Sequence, residues 1–295
     1  MVRVRSLFQE EVKSLLRKYS VRPSKKTGQS FLTSNRVARD IVWSANLTKD
    51  ESVLEIGGGL GILTQWLAQC AKTVYVVEKD VGLVRALREI LSGLDNVEII
   101  EGDALAIDFP EVNKLVCNLP YSISSDITFR LLEEVKFESA TLMYQKEFAE
   151  RLLAEPGSAN YARLTIGVRY HVDVAHIMSV PASMFYPVPK VDSSVVCLTP
   201  RLAGPFARNP EIFFWLIHGI YSYPNKQIGK ALRIWFRNMK LDKALANTLL
   251  DRAGASVTGT ERLRTLTLDI LVTLADCLVE MIEDELVLDP RGKSM

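Results

Sequence analysis

Residues 116–121, Val116-Cys117-Asn118-Leu119-Pro120-Tyr121, join an apolar run, a carboxamide, an X-Pro bond and an aromatic ring without a gap. Lys114 to Cys117 is short, apolar and β-branched, which predicts a buried strand. Pro120 fixes its own φ and drives Leu119 into an extended conformation, so the strand should end in a rigid edge. Such an edge offers the Asn118 side-chain oxygen and the Leu119 carbonyl as neighbouring acceptors, with the flat face of Tyr121 beside them. A planar substrate carrying an NH2 group, such as adenine, suits this arrangement. Two acceptors pulling on the amine hydrogens would localise a lone pair otherwise delocalised into the ring. The competing reading is a Pro-terminated strand whose Asn caps the next turn.

A second set of residues could hold a nucleotide-like ligand. A strand at 51–56 runs into Gly57-Gly58-Gly59-Leu60-Gly61, and a helical pattern follows over 62–68. Strand, glycine turn and helix make a nucleotide-binding βα unit, because glycine lets the backbone approach the ligand and the helix start offers free N–H groups. A strand over 73–77 ends at Glu78, 21 residues after Gly57, where a carboxylate can take ribose hydroxyls. The dinucleotide fingerprint would need glycine at position 62, which is Ile62. The Gly57, Gly59, Gly61 spacing instead follows the habit of S-adenosylmethionine-dependent methyltransferases. A third strand, 97–100, closes on Gly102-Asp103, and Asp103 is positioned either to accept from an adenine amine or merely to form a turn.

These residues need a scaffold. Helices are expected over 6–19, 35–45, 80–92, 124–135 (capped by Ser124 or Ser125), 145–154 and 161–170, and strands over 140–144, 173–180 and 193–198. Alternation of strands and helices over 51–155 predicts a doubly wound parallel sheet with its ligand loops at the strands' carboxyl ends. Gly57, Glu78, Asp103 and Asn118 all fall at such ends. The loop 181–192 contains three prolines and presents Phe185 and Tyr186 at a fixed place. One of the pair can stack on an extruded base, worth ~1–3 kcal/mol, and at least one is expected to pack on the sheet edge instead. Residues 199–210 hold three prolines and a glycine and mark a domain boundary. Beyond it only helical patterns remain, over 211–222, 226–237, 240–252 and 260–283.

Composition excludes several classes. At 295 residues, 48% hydrophobic and 24% charged, the chain reads as an ordinary globular protein of one large and one smaller domain. No apolar run approaches a membrane span, and the start lacks a secretory h-region, so a cytoplasmic protein is expected. Four separated cysteines and three histidines make no metal-ligand pattern, so no metal is expected. The net charge of +1 is unevenly distributed: residues 1–26 and 201–243 each carry +6, leaving −11 elsewhere. That pattern suits either a bound polyanion or two solvated basic helices. Lys226, Lys230, Arg233, Arg237 and Lys240 recur at three- and four-residue spacing and share a helix face, for which a phosphate backbone is the natural partner.

Gln29-Ser30-Phe31-Leu32, the glycine loop, Glu78, Gly102-Asp103-Ala104, Asn118-Leu119-Pro120-Tyr121 and residues 185–193 (FYPVPKVDS) occur in this order. From about Pro23 to Pro200 the chain thereby resembles the ribosomal small-subunit RNA adenine N6,N6-dimethyltransferases, with an archaeal flavour. The resemblance implies an α/β fold: a Rossmann-like, doubly wound class I methyltransferase sheet over 1–200, with a basic arm at 1–26. A small all-α RNA- or ribosome-binding domain would cover 205–295. It implies methyl transfer from S-adenosylmethionine to two adjacent adenosines near the 3′ end of small-subunit rRNA, by a monomer acting in ribosome biogenesis. Ser30, Leu32, Gly57, Gly59, Glu78, Asp103 and Asn118 would contact the cofactor. Asn118, Leu119, Pro120 and Tyr121 would hold the target amine, and Phe185 would stack on the target base. Many members carry Asn where this chain has Ser30; serine keeps a hydrogen bond but shortens the reach. Lys25, Lys26, Lys190, Lys226, Lys230, Arg233 and Arg237 would bind RNA. A large-subunit or DNA adenine methyltransferase, and a non-catalytic assembly or transcription factor, share most of these motifs.

Overall fold

The computed structural model describes residues 9–23 and 29–289. They divide into two compact units, one formed by 9–149 with 172–200, the other by 150–171 with 201–289. The composition shift at 199–210 marks one of the crossings. The excursion at 150–171 has no such signal, because a single amphipathic helix reads alike whichever core receives it.

In the first unit the chain runs α1 (Gln9–Lys18), β1 (Phe31–Leu32), α2 (Asn35–Ser44), β2 (Ser52–Ile56), α3 (Ile62–Cys70), β3 (Thr73–Glu78), α4 (Val81–Ile90), β4 (Val97–Glu101), β5 (Lys114–Asn118), α5 (Ser124–Glu134), β6 (Ser139–Gln145) and α6 (Lys146–Leu153), whose last turn enters the second unit. After α7 (Arg163–His171) of the second unit come β7 (Val172–Val180), β8 (Phe185–Tyr186) and β9 (Ser193–Pro200). The main sheet has seven strands in the order β4-β3-β2-β5-β6-β9-β7. Its first five are parallel, and β9 and β7 are antiparallel to their neighbours. Parallel neighbours need a covering crossover, whereas the proline-rich stretch between β7 and β9 contains no helix long enough to serve as one and returns the chain antiparallel. β2 and β5 read as continuous buried runs because helices cover both sheet faces. The order reverses between β2 and β5, so their carboxyl ends flank the switch point where open α/β sheets bind ligands.

A second sheet joins β1 to β8, pairing Phe31 with Tyr186 and Leu32 with Phe185. Two-residue strands have no periodicity, so both segments read as loops in the sequence. Their pairing ties the motif around Ser30 to the proline loop.

The second unit contains α7 and α8 (Pro210–Ile220), α9 (Ile228–Asn238), α10 (Leu245–Ala253) and α11 (Leu268–Glu283). Its core includes Phe213, Leu232, Phe236, Leu249, Leu274 and Leu278. Asn209 caps α8 by accepting from the Ile212 N–H, with Pro210 in the first turn. Among the described residues no helix is long and apolar enough to cross a membrane.

Candidate functional site

The carboxyl ends of β2, β3, β4 and β5 open into one cleft of about 830 Å³, within the ~300–1,000 Å³ usual for small-molecule sites. Ser30, Leu32, Gly57, Gly59, Glu78, Asp103, Asn118, Leu119, Pro120 and Tyr121 all line it. Residues spread over 92 positions of sequence are thus brought together because parallel strands deliver every β-to-α turn to the same edge.

The glycine loop and the Asn118 edge touch. Gly57 has φ of +79°, and a Cβ there would lie 3.3 Å from the Pro120 ring. A side chain would therefore strain the backbone and press the edge out of place. Gly58 packs closer still, since a Cβ would meet Val76 Cγ1 at 2.3 Å. The glycines serve this contact between two strand ends as well as any ligand.

At the β5 end, Pro120 has φ −59° and ψ 121°, and a single 3-10 turn, Tyr121–Ile123, leads into α5. Neither Ser124 nor Ser125 caps that helix: its N-cap is Ile123, without a side-chain bond, because the 3-10 turn runs directly into it. The Asn118 amide caps nothing; among the described residues its side chain makes no hydrogen bond, nor does the Leu119 carbonyl. Both residues line the cleft. The Tyr121 hydroxyl bonds Ser193 Oγ at 2.6 Å, which fixes its ring, and burial raises its pKa, so the phenol stays neutral.

Glu78 is buried, and its carboxylate already accepts three backbone N–H groups: Gly59 at 3.0 Å, Lys79 at 2.9 Å and Asp80 at 3.0 Å. A carboxylate has about four acceptor positions, so one remains, on the oxygen shared with Gly59. One ribose hydroxyl fits directly; a second would have to displace the Gly59 N–H. Burial raises the Glu78 pKa above the ordinary 4.5 against the lowering effect of those three bonds. A diol donating to it would favour the ionised form.

The structure also supplies residues that the sequence motifs did not point to. Val81 and Leu105 are apolar yet 53% and 36% exposed, and both line the cleft, where they offer apolar surface to a ligand. Glu55, at the base of the cleft, is fully buried and accepts from Thr64 Oγ1 at 2.6 Å; desolvation pushes its pKa up to about 8. Arg130 of α5 donates to the Ala104 and Ile107 carbonyls and so clamps the loop that follows Asp103.

Glu55 yields a pH test. Its folded pKa lies above its unfolded value, so between pH 4.5 and about 8 the folded state holds a proton that the unfolded state has lost. Stability must then fall as pH rises through that window, by up to about 1.4 kcal/mol per unit from this group. Glu55→Gln, which mimics the neutral acid, is expected to flatten the melting temperature between pH 5 and 8. A slope as steep as in the unsubstituted protein would contradict the assignment.

One expected site residue needs correction. Phe185 is 0% exposed and belongs to the core of the first unit, where β8 pairs with β1. Its ring has no open face in this conformation, so it cannot stack on a base there. Tyr186 is half-buried and carries the Lys13 ammonium 5.3 Å above its ring. Lys25 and Lys26 lie outside the described residues. Lys190, Lys226, Lys230, Arg233 and Arg237 are exposed, and among the described residues none of the five pairs with a carboxylate. Lys226 precedes α9 and Lys240 follows it, so the basic stripe extends past both helix ends. Among the described residues no group of His, Cys, Asp and Glu could hold a metal.

Comparison with known proteins bears on the fold and the family. A crystal structure of a dimethyladenosine transferase from Plasmodium falciparum superposes with a TM-score of 0.73 at 29% identity, covering 86% of this chain and 98% of that one. The 23S rRNA methyltransferase ErmE superposes with a TM-score of 0.64 at 30% identity, over 84% and 99% of the two chains. The fold is therefore that of the Rossmann-like methyltransferases. A probable ribosomal RNA small subunit methyltransferase A from Methanosarcina mazei is 44% identical over 221 residues, 75% of this chain and 81% of the relative. Residues 22–267 match the family model described as ribosomal RNA adenine dimethylase, and the chain belongs to that family.

Proposed function

We infer that the protein is an rRNA adenine N6,N6-dimethyltransferase, moving methyl groups from S-adenosylmethionine to two adjacent adenosines near the 3′ end of small-subunit rRNA during ribosome biogenesis. The observation that carries this reading is the Asn118-Leu119-Pro120-Tyr121 edge, which lines the cleft and packs its Pro120 ring against Gly57 at the sheet's switch point. Membership of the dimethylase family supports it.

When bound, S-adenosylmethionine supplies an electrophilic methyl on a sulfonium, which departs as the neutral thioether S-adenosylhomocysteine. Ser30, Leu32, Gly57 and Gly59 shape its cradle, Glu78 takes a ribose hydroxyl, and Asp103 faces the adenine amine. The target adenosine must leave its stack, at a cost of a few kcal/mol that is smaller for an unpaired loop. Asn118 Oδ1 and the Leu119 carbonyl accept its two N6 hydrogens and turn the lone pair toward the methyl. On gaining the methyl, N6 would become acidic and would give up its proton to solvent as the product leaves, the C–S electron pair staying with the thioether. No strong base is required, consistent with the neutral Tyr121. Catalysis then rests on positioning and on excluding competing water.

Lys226, Lys230, Arg233 and Arg237 are read as phosphate contacts, joined by Lys190 and by Lys25 and Lys26. The partner is a pre-small ribosomal subunit, met by a cytoplasmic monomer. Replacing Lys226, Lys230 and Arg237 by Gln should reduce the slope of log affinity for rRNA against log salt by roughly 0.7–0.9 per residue. A filter-binding titration in several salt concentrations checks this, and an unchanged slope would remove these cations from the RNA interface.

The decisive experiment supplies labelled S-adenosylmethionine and small subunits from a strain lacking the modification, followed by nucleoside analysis. Label in N6,N6-dimethyladenosine is the expected result. Label only in large subunits offered in a parallel reaction would move the substrate assignment, and tight small-subunit binding without label would favour a non-catalytic assembly factor.

A further inference from the structure

Lys79 immediately follows Glu78, and Asp103 follows the adjacent strand β4, where Glu78 and Glu101 are register partners. Their side chains meet across the two strand ends: Lys79 Nζ lies 2.5 Å from Asp103 Oδ2. The other carboxylate oxygen, Oδ1, accepts from the Leu105 N–H at 3.1 Å. The backbone beneath is fixed as well. The Asp103 carbonyl accepts from the Ala106 and Ile107 N–H groups, and Arg130 holds the Ala104 and Ile107 carbonyls. With the loop anchored, the remaining freedom of Asp103 is rotation of its own side chain. Lys79 on one oxygen and Leu105 on the other remove that freedom. Two of about four acceptor positions stay open, enough for an amine.

We propose that Lys79 is a positioning residue that orients the Asp103 carboxylate and thereby sets the site's preference for a 6-amino over a 6-oxo purine on the cofactor. This rests on the reading of the cleft as an S-adenosylmethionine site. The Lys79 hydrogen bond is the main cause that holds the Asp103 pKa below its ordinary 3.8, followed by the Leu105 N–H, with the charges of Lys79 and Arg130 contributing less. Asp103 is therefore an ionised acceptor throughout the working range. An amino group donates to it, whereas a 6-oxo group brings a second acceptor and is rejected. Lys79 is 74% exposed and Asp103 35%, so the effect is one of orientation in a screened pair and is correspondingly modest.

Calorimetric titration of the full-length protein with S-adenosylhomocysteine and with S-inosylhomocysteine tests this without any turnover. The unsubstituted protein is expected to prefer the adenosyl ligand by about tenfold, a value reduced from buried sites by solvent screening. Lys79→Met should cut that preference to roughly threefold, Lys79→Arg should restore it, and in an Asp103→Asn background Lys79→Met should change nothing further. Melting curves of each variant establish that the fold is kept. Equal weakening of both ligands, no weakening, or an effect that persists without the Asp103 carboxylate would overturn the proposal. If the unsubstituted protein bound neither ligand, the cofactor reading itself would fail and the inference would fall with it.

Discussion

Asn118→Ala is expected to slow single-turnover methylation by about 100-fold or more, equivalent to about 2.7 kcal/mol of barrier, while S-adenosylhomocysteine binds within a few-fold of normal. Among the described residues the Asn118 side chain, which lines the cleft, has no hydrogen-bond partner, and its work begins when N6 must present a lone pair instead of a conjugated amine. An interaction made chiefly in the transition state appears in the rate rather than in the affinity. Truncation breaks no hydrogen bond within the described residues, so the fold should survive and the melting temperature should report that. Asn118→Asp is the sharper companion. It keeps an acceptor of similar reach and should retain more activity than alanine if acceptance matters, but less if the amide N–H2 matters more. Unchanged single-turnover rates in Asn118→Ala would remove this edge from the chemistry.

Glu78→Ala is expected to weaken S-adenosylhomocysteine about 100-fold, a loss in line with about 1.5–3 kcal/mol for a hydrogen bond to a charged group together with a loosened loop. The carboxylate gathers the Gly59, Lys79 and Asp80 N–H groups, so its removal both deletes a ribose acceptor and releases the glycine turn. Glu78→Gln separates the two effects. It keeps one acceptor oxygen but turns an N–H2 group toward backbone donors, and it should cost more than its small change in shape suggests. A pH series adds a signed prediction. Because burial sets the Glu78 pKa above 4.5 and a diol prefers the ionised form, binding should release a proton, and affinity should rise as pH increases through that raised pKa. Salt-dependent RNA binding by the helical unit should be unaffected by either substitution. A normal affinity in Glu78→Ala would mean that the ribose is held elsewhere.

The alternation of strands and helices, the glycine turn, the acidic residue closing the second strand and the Asn-Leu-Pro-Tyr edge are local patterns, and the sequence carries each in full. Strands with covered faces are written as apolar runs, and a parallel sheet delivers their loops to one edge, so Gly57, Glu78, Asp103 and Asn118 could be assigned to one site before any coordinate was known. Helical periodicity likewise puts Lys230, Arg233 and Arg237 on one face of α9, whereas Lys226 and Lys240 lie beyond its ends, where the spacing rule no longer applies.

Tertiary structure decided what depends on partners distant in sequence. Phe185 stands beside Tyr186 in a proline loop and could have faced either way; pairing of β8 with β1 buried it, and a two-residue strand has no pattern that announces its partner. The passage of residues 150–171 into the helical unit was likewise unwritten, because an apolar stripe does not specify which core receives it. Lys79 over Asp103 and Arg130 over the following loop are contacts across 24 and 23–26 positions that no spacing rule anticipates. Local propensity and periodicity therefore determined the elements and the ends at which chemistry sits. Packing between separated segments determined which of the candidate side chains are open to a ligand and which neighbours hold them still.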